Sequence, residues 1–359
     1  MRILVTINCI GVDASAAGGI ALAGMMAETG HTVAVQAAPD GPVARAAARQ
    51  GLECTDLNLQ KSAFVTGLLP FKKLIRGFAP DVICTTRADG QTASAMVAGN
   101  VPMVRIRCDI RKPRSGKTWK MVDRKTDLVV FPSSFMIEKG YIGEREGPVS
   151  VIPHPVDTDL YSFSEGREIS EPLLVSIGRL SPIKGHRTLI KALKLLPGNV
   201  KAVIAGAPSQ QSIEELQTFA KTLGVENRIT LSGKVENVRD IIARGTIGVV
   251  TSLGSEVVSR AGMEMMSSGL PLLAAATNGL LDLVKDGRTG FFHSPGNSRQ
   301  LASQAEYLIR NPSLAMRMGR KARRNCIDSL SYPVIAETWN LALTELIRGN
   351  KISSRRYHQ

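Results

Sequence analysis

The sequence predicts an α/β protein of two similar, doubly wound halves, each built on a parallel sheet, with a cleft between them. Three observations carry the domain pattern. Short apolar runs alternate with helix-like stretches through the first half of the chain. The same alternation restarts near residue 173. The length, 359 residues, exceeds what one core serves, and two domains of roughly 150–200 residues are the prior.

In the first half, ILVTIN (3–8), TVAVQA (32–37), residues 53–57, DVICTT (81–86), PMVRIR (102–107) and DLVVF (127–131) read as strands. Helices are expected from Gly18-Gly19 to about Glu28, with Gly30 as the stop, and near 42–50, 66–78, 91–99 and 134–140. In the second half the strands are LLVSIGR (173–179), AVIAG (202–206), RITLSG (228–233), IGVVTS (247–252), PLLAAA (271–276) and GFF (290–292). Helices fall at 186–196, 212–223 and 260–268, and three more close the chain near 298–309, 313–329 and 335–348. Short apolar strands separated by helices make a parallel sheet covered on both faces, wound by right-handed crossovers. VSVIPHPVDTDLY (149–161), with two prolines, reads as an extended linker. The division expected is 1–165 for an N-terminal domain and 166–330 for a C-terminal one. Residues 331–359 form a helix that packs back toward the N-terminal domain, plus a basic tail.

Composition excludes several classes. A hydrophobic fraction of 43% and a charged fraction of 21% exclude disorder as the main state. No run of 18 apolar residues occurs, so no transmembrane helix is expected, and the start lacks a signal-peptide layout. The five cysteines are irregularly spaced with no CxxC pair, which supports neither a disulfide framework nor a cysteine zinc site. The expected location is cytoplasmic, the inner face of the cytoplasmic membrane included.

The net charge of +14 is concentrated. Residues 111–125 hold seven Lys or Arg against Asp123 alone, and residues 310–359 hold ten against three acidic residues. Such patches suit a polyanionic partner or an anionic membrane face, and they equally suit solvated helix faces. With 4% aromatic residues, stacking platforms for nucleic acid are few, so no nucleic-acid partner is expected.

In open α/β sheets ligands bind beyond the carboxyl ends of strands, so the loops after strands are informative. After strand 173–177 comes GRLSPIKG, with Arg179 and Lys184 flanking a proline turn. After strand 247–252 comes LGSEVVSRAGMEMMSSGLP, with Glu256 in the loop and Glu264 eight residues on. Ser259 is an N-cap candidate that places Glu264 in the second helical turn. A helix N-terminus beside two cations suits a diphosphate, and two carboxylates suit vicinal hydroxyls. Together they describe a nucleotide-sugar pocket. Read separately, the cations are equally surface charges, Glu264 an exposed helix residue and Glu256 a carboxylate favoured by the helix dipole.

These motifs, in order, resemble family 4 of the retaining glycosyltransferases, with the GT-B fold. The likeness covers essentially the whole chain: GGIALAGMMAETGHTVAV, VIPHPVDTDLY, GRLSPIKG, the Glu256/Glu264 pair followed by SSGLP, and GLLDLVKDGRTGFF. It implies roles. Arg179 and Lys184 hold the donor diphosphate and neutralise the leaving nucleotide. Glu264 binds ribose hydroxyls, and Glu256 binds hydroxyls of the donor sugar. The backbone of Val258 and Ser259 touches the sugar or distal phosphate. Val235, in the Gly233–Asn237 turn, contacts the base, and Gly19 admits the donor phosphate. Arg179, Lys184 and Glu256 form the expected catalytic set. Cys108 marks a sugar-site position where many relatives carry a His, Asp282 stands where a Glu is common, and Val258 and Ser259 replace an aromatic and a glycine.

The resemblance further implies a metal-independent hexosyltransferase that retains configuration by front-face attack. It needs no cofactor beyond the nucleotide-sugar substrate, and Asp157-Thr158-Asp159 is not taken as a metal motif. The acceptor expected is an anionic cell-envelope glycan or lipid-linked molecule such as lipopolysaccharide core, with peripheral membrane contact. Alternatives are a degenerate, non-catalytic nucleotide-sugar- or glycan-binding homologue and a nucleotide-sugar epimerase of the same fold.

Overall fold

The structure, a computed structural model, describes residues 1–9, 11, 14–60, 63–111, 115–162, 171–254 and 256–349. The chain folds into two compact units: unit 1, Met1–Pro155 with Tyr332–Gln359, and unit 2, Val156–Ser331.

Unit 1 is built on β1 (Arg2–Ile7), β2 (Thr32–Ala37), β3 (Glu53–Asp56), β4 (Val82–Thr85), β5 (Met103–Ile106), β6 (Leu128–Phe131) and β7 (Val149–Val151). They form one sheet in the order β3-β2-β1-β4-β5-β6-β7, parallel throughout. The helices are α1 (Ala14–Glu28), α2 (Pro42–Ala48), α3 (Phe64–Phe78), α4 (Ala88–Val97), α5 (Lys117–Arg124) and α6 (Phe135–Glu138). Alternate residues of a strand point to opposite faces. Ile3, Val5 and Ile7 accordingly join one core with α1, while Leu4, Ala34 and Ile83 meet Phe71, Ile75 and Phe78 of α3 on the other side.

Three local expectations are corrected. The first helix begins at Ala14, so Gly18 and Gly19 lie inside it rather than at its opening. Residues 149–151, read as linker, pair with β6 as the edge strand β7. A helix, α5, forms within the basic segment, where only Trp119 and Val122 supply apolar anchoring against Ala95 and Met103. Lys112 and Arg114 of that segment, and the basic tail from 350, lie outside the described residues.

Unit 2 holds β8 (Leu173–Ile177), β9 (Lys201–Ala205), β10 (Ile229–Gly233), β11 (Ile247–Val250), β12 (Leu272–Ala275) and β13 (Gly290–His293). Their order is β10-β9-β8-β11-β12-β13, again all parallel. The helices are α7 (His186–Leu195), α8 (Ile213–Thr222), α9 (Arg239–Arg244), α10 (Arg260–Ser267), α11 (Leu280–Leu283), α12 (Ser298–Arg310) and α13 (Pro312–Leu330). The strand order reverses between β8 and β11, which is where a doubly wound sheet opens a crevice at its carboxyl edge.

The chain changes units after Pro155, ten residues before the boundary read from the sequence. The cause is local. Val156 N–H donates to Leu330 C=O at 2.8 Å, and Arg323 donates to the carbonyls of Thr158 and Tyr161. Residues 156–161 are thereby tied to α13. The last helix, α14 (Tyr332–Ile347), buries Ile335, Trp339, Ala342 and Leu343 in the α1 side of the unit 1 core. Among the described residues no helix is long and apolar enough to cross a membrane.

Candidate functional site

The loops after β8 and β11, neighbours at the switch point of unit 2, are laced by their backbones. Leu253 N–H donates to Ile183 C=O at 2.8 Å, and Thr251 Oγ1 donates to Lys184 C=O at 3.0 Å. Gly185, just before α7, has φ +67°, and a Cβ there would lie 2.1 Å from the Thr251 carbonyl oxygen. Only glycine permits both the left-handed turn and that approach.

The lacing places Lys184 against Glu256. Lys184 Nζ donates to Glu256 Oε1, and Ser252 Oγ donates to the same oxygen at 2.5 Å. Glu256 is buried, and its own carbonyl accepts Gly279 N–H at 2.8 Å, which fixes the loop from the α11 side. A Cβ on Gly279 would lie 2.3 Å from Val257 C=O, so this second clamp also depends on a glycine.

Ser259 occupies the N-cap of α10, as expected, but its side chain makes no capping hydrogen bond. Glu264 follows in the second turn. Its side chain retains 13% exposure, with Arg260 Nη2 at 3.7 Å. Burial holds the Glu264 carboxyl above the ordinary glutamate range, while Arg260 and a hydrogen bond from Tyr161 pull the other way. The Tyr161 phenol is itself pushed up to about 12, by burial first and then by the Glu264 charge.

Arg179 is exposed. Its carbonyl accepts from His186 Nε2 at 3.1 Å, while His186 Nδ1 is buried without a hydrogen-bond partner. Burial keeps the His186 imidazole below its usual range. Val235 is half-buried in the loop after β10, which leaves the sheet at Gly233 with φ +62°. Val258 is half-buried beside Ser259. The described residues thus gather Lys184, Glu256 and Ser252 into one polar cluster. Chemically, the loops offer cations for an anionic leaving group and carboxylates for hydroxyl groups.

The unit 1 candidates sit differently. Gly19 is the sixth residue of α1, where its amide belongs to the helical ladder. A Cβ on it would meet Thr86 Cγ2 at 2.7 Å and Ile7 Cδ1 at 2.9 Å, so its small size serves the packing of α1 on the sheet. The neighbour Gly18 is the more telling one. A Cβ there would lie 2.6 Å from the His154 ring, whose Nε2 is 3.3 Å from Cys108 Sγ. Cys108 is buried beside that imidazole. Asp157 Oδ1 accepts the amides of Asp159 and Leu160, an Asx turn that caps its own loop. Asp282 is exposed in the first turn of α11.

Residues 157–325 match the family model described as glycosyl transferases group 1. The match falls within unit 2, Val156–Ser331. The chain is 24% identical over 191 residues to the N-acetyl-alpha-D-glucosaminyl L-malate synthase of Bacillus anthracis, which covers 53% of this chain and 49% of that protein. It is 24% identical over 168 residues to the lipopolysaccharide core biosynthesis glycosyltransferase LpsE of Rhizobium meliloti, 47% of this chain and 48% of that one. These matches span about half the length of the curated relatives. Among solved structures, Anabaena Alr3699/HepE in complex with UDP superposes with a TM-score of 0.85 at 22% identity, over 96% of this chain and all of that one. The fold is therefore the GT-B class that the sequence predicts.

Within unit 2, sequence reasoning missed Ser252, His186 and Tyr161. Ser252 closes the apolar run IGVVTS, and His186 follows the Lys184-Gly185 turn, so both adjoin motifs that were recognised. Tyr161 lies 103 positions before Glu264 and carries no local signal.

Proposed function

We propose that this protein is a retaining glycosyltransferase that moves a sugar from a nucleoside-diphosphate donor to an anionic cell-envelope acceptor, lipid-linked or glycan. The observation that carries the reading is the pairing of half-buried Lys184 with buried Glu256 at the carboxyl edge of adjacent strands β8 and β11. The family match over residues 157–325 supports it, as does the likeness to a structure holding UDP. A likeness to the lipopolysaccharide core transferase LpsE supports a cell-envelope acceptor.

In this mechanism Arg179 and Lys184 face the diphosphate. As the bond from the anomeric carbon to the phosphate oxygen breaks, negative charge grows on the leaving group and the two cations stabilise it. The acceptor oxygen bonds to the same face of the anomeric carbon, and its proton passes to the leaving phosphate. Glu264 takes the ribose hydroxyls. Glu256 takes hydroxyls of the sugar, and Lys184 is then shared between that carboxylate and the phosphate. The amides of Val258 and Ser259 and the loop carrying Val235 complete donor binding.

A thermal-shift series with UDP-, GDP- and ADP-sugars tests the reading. A ligand at 100 times its Kd adds about 2.7 kcal/mol of stability. A shift with one nucleotide series, followed by sugar transfer from that donor, is the expected result. The absence of any shift overturns the reading. A shift without transfer to any acceptor favours the non-catalytic alternative, to which the buried Cys108–His154 contact lends weight.

A further inference from the structure

Unit 1 holds a cavity of about 630 Å³, lined from β5, the loops after β4, β5 and β6, and α5. Its wall carries Arg87, Arg105 and Arg107 together with the rings of Trp119 and Tyr141. Cations outnumber carboxylates on that wall among the described residues. Lys120 is paired with Glu144 at 3.2 Å and Arg145 with Asp123 at 3.0 Å, so those cations are answered locally. Toward the sheet, one carboxylate stands near two guanidinium groups: Asp109 lies 3.9 Å from Arg105 Nη2 and 3.7 Å from Arg107 Nη2, and Arg107 also donates to the carbonyls of Tyr141 and Arg111. Both distances exceed a hydrogen bond. The oxygen of Asp109 nearest Arg107 instead accepts the Arg111 amide at 3.1 Å.

Arg105 is the decisive residue. It sits inside β5, whose other members Met103, Val104 and Ile106 are apolar and buried. Its own exposure is 5%. Burying a charge costs several kcal/mol unless partners repay it. Its Nη1 has two, the carbonyls of Thr85 and Ile106 at 3.2 and 2.8 Å, while among the described residues Nη2 has Asp109 at 3.9 Å. Burial lowers its pKa to about 10, and the like charges of Arg107 and Arg87 push the same way. A strand position that holds a buried guanidinium beside further cations is stabilised by an anion, and a planar guanidinium fork matches phosphate oxygens.

We propose that this cavity is a binding site for a phosphomonoester, held by Arg105 and Arg107 with Arg87 beside them. Its volume suits a phosphorylated monosaccharide, and Trp119 and Tyr141 are among the residues that line it. The anion site stands on unit 1 alone. That its occupant is the acceptor of the transfer rests on the function proposed above. The same headgroup chemistry occurs on a soluble sugar phosphate and on a lipid phosphomonoester.

Calorimetric titration of the full chain with glucose 6-phosphate, glucose and inorganic phosphate tests this, beside vesicles of phosphatidylcholine with and without phosphatidic acid. The expected result is saturable binding of glucose 6-phosphate or of phosphatidic acid vesicles, at least tenfold tighter than the uncharged counterpart. The arm that binds identifies the source. Arg107→Gln, at a half-buried position, should weaken that binding at least tenfold. Arg105→Gln should do the same where it folds, with circular dichroism as the check. Binding unchanged in Arg107→Gln, or equal for glucose and glucose 6-phosphate with no preference for phosphatidic acid, overturns the proposal. The UDP thermal shift separates the two ideas. A retained shift without phosphate binding sinks only the anion site, and phosphate binding without any nucleotide shift sinks only the transferase reading.

Discussion

Lys184 and Glu256, 72 residues apart in sequence, share a hydrogen-bonded ion pair in which the lysine side chain is 20% exposed and the glutamate 5%. The sequence alone suggests that Arg179→Ala and Lys184→Ala both lose turnover far more than stability. The structure separates them. Arg179 is exposed, and its removal should cost on the order of 100- to 1000-fold in turnover with stability nearly unchanged. Lys184→Ala leaves a buried carboxylate without its cation and should also destabilise the fold by on the order of 3 kcal/mol. The double variant Lys184→Met, Glu256→Gln should recover most of that stability and none of the turnover. Urea unfolding beside a transfer assay reads both. A stable Lys184→Ala chain would remove the pair from the stability argument.

Glu264 is a carboxylate whose burial disfavours its charge. Glu264→Gln should therefore raise the melting temperature of the ligand-free protein at neutral pH. It should also weaken nucleotide binding about tenfold, since a charge-assisted hydrogen bond contributes roughly 1.5–3 kcal/mol. Gain of stability with loss of affinity marks a functional residue. Loss of stability with affinity unchanged would assign Glu264 to the fold instead.

Two buried imidazoles set an acid limit. His186 and His293 both titrate below the usual 6.5, in each case chiefly through burial. The unfolded chain takes up their protons first as pH falls. Stability is then full above about pH 6.5 and declines below it until the folded-state values are reached. Urea midpoints between pH 8 and pH 5 should show that decline, and His186→Gln with His293→Gln should flatten it. A slope untouched by both changes would place the acid sensitivity elsewhere.

Much of the fold is legible because buried parallel strands write themselves as apolar runs, and most strands of both units follow such runs. The strand that escapes, β7, is three residues long and lies where prolines point to a linker. The start of α1 is misplaced because Gly18 and Gly19 look like a helix opening, whereas they are the smooth patch on which His154, Ile7 and Thr86 pack. The Lys184, Glu256 and Glu264 motifs stand at loop positions that strand ends dictate. The Tyr161 contact and the cavity beneath Arg105 depend on which distant segments meet, and no local pattern records that.

Positive charge at the diphosphate comes, in the proposed mechanism, from Arg179 and Lys184, and the aspartates of 157–159 belong to a turn. Transfer should therefore persist in excess EDTA. Loss of activity restored by magnesium or manganese would move the diphosphate's counter-charge to a metal.

The proposed contact with an anionic membrane face has its best support on α3. Val65 and Leu69, one turn apart, are 74% and 73% exposed, and Lys73 and Arg76 continue along the helix on its exposed surface. Apolar side chains followed by cations suit a headgroup interface. Phe71 of the same helix is buried in the unit 1 core. In the basic segment 111–125, Lys125 donates to Ala95 C=O at 2.9 Å and so caps α4 rather than reaching outward. The contact thus rests on fewer cations than the sequence suggests. Each contributes roughly 1 kcal/mol near an anionic surface, screened beyond about 8 Å at physiological salt. Co-sedimentation with vesicles of rising phosphatidylglycerol content should show binding that grows with anionic lipid and falls with salt. Val65→Ser with Leu69→Ser should lose the salt-resistant part, and Lys73→Gln with Arg76→Gln the salt-sensitive part. Equal binding to neutral and anionic vesicles, or none to either, would reject the membrane contact and leave the transferase reading untouched.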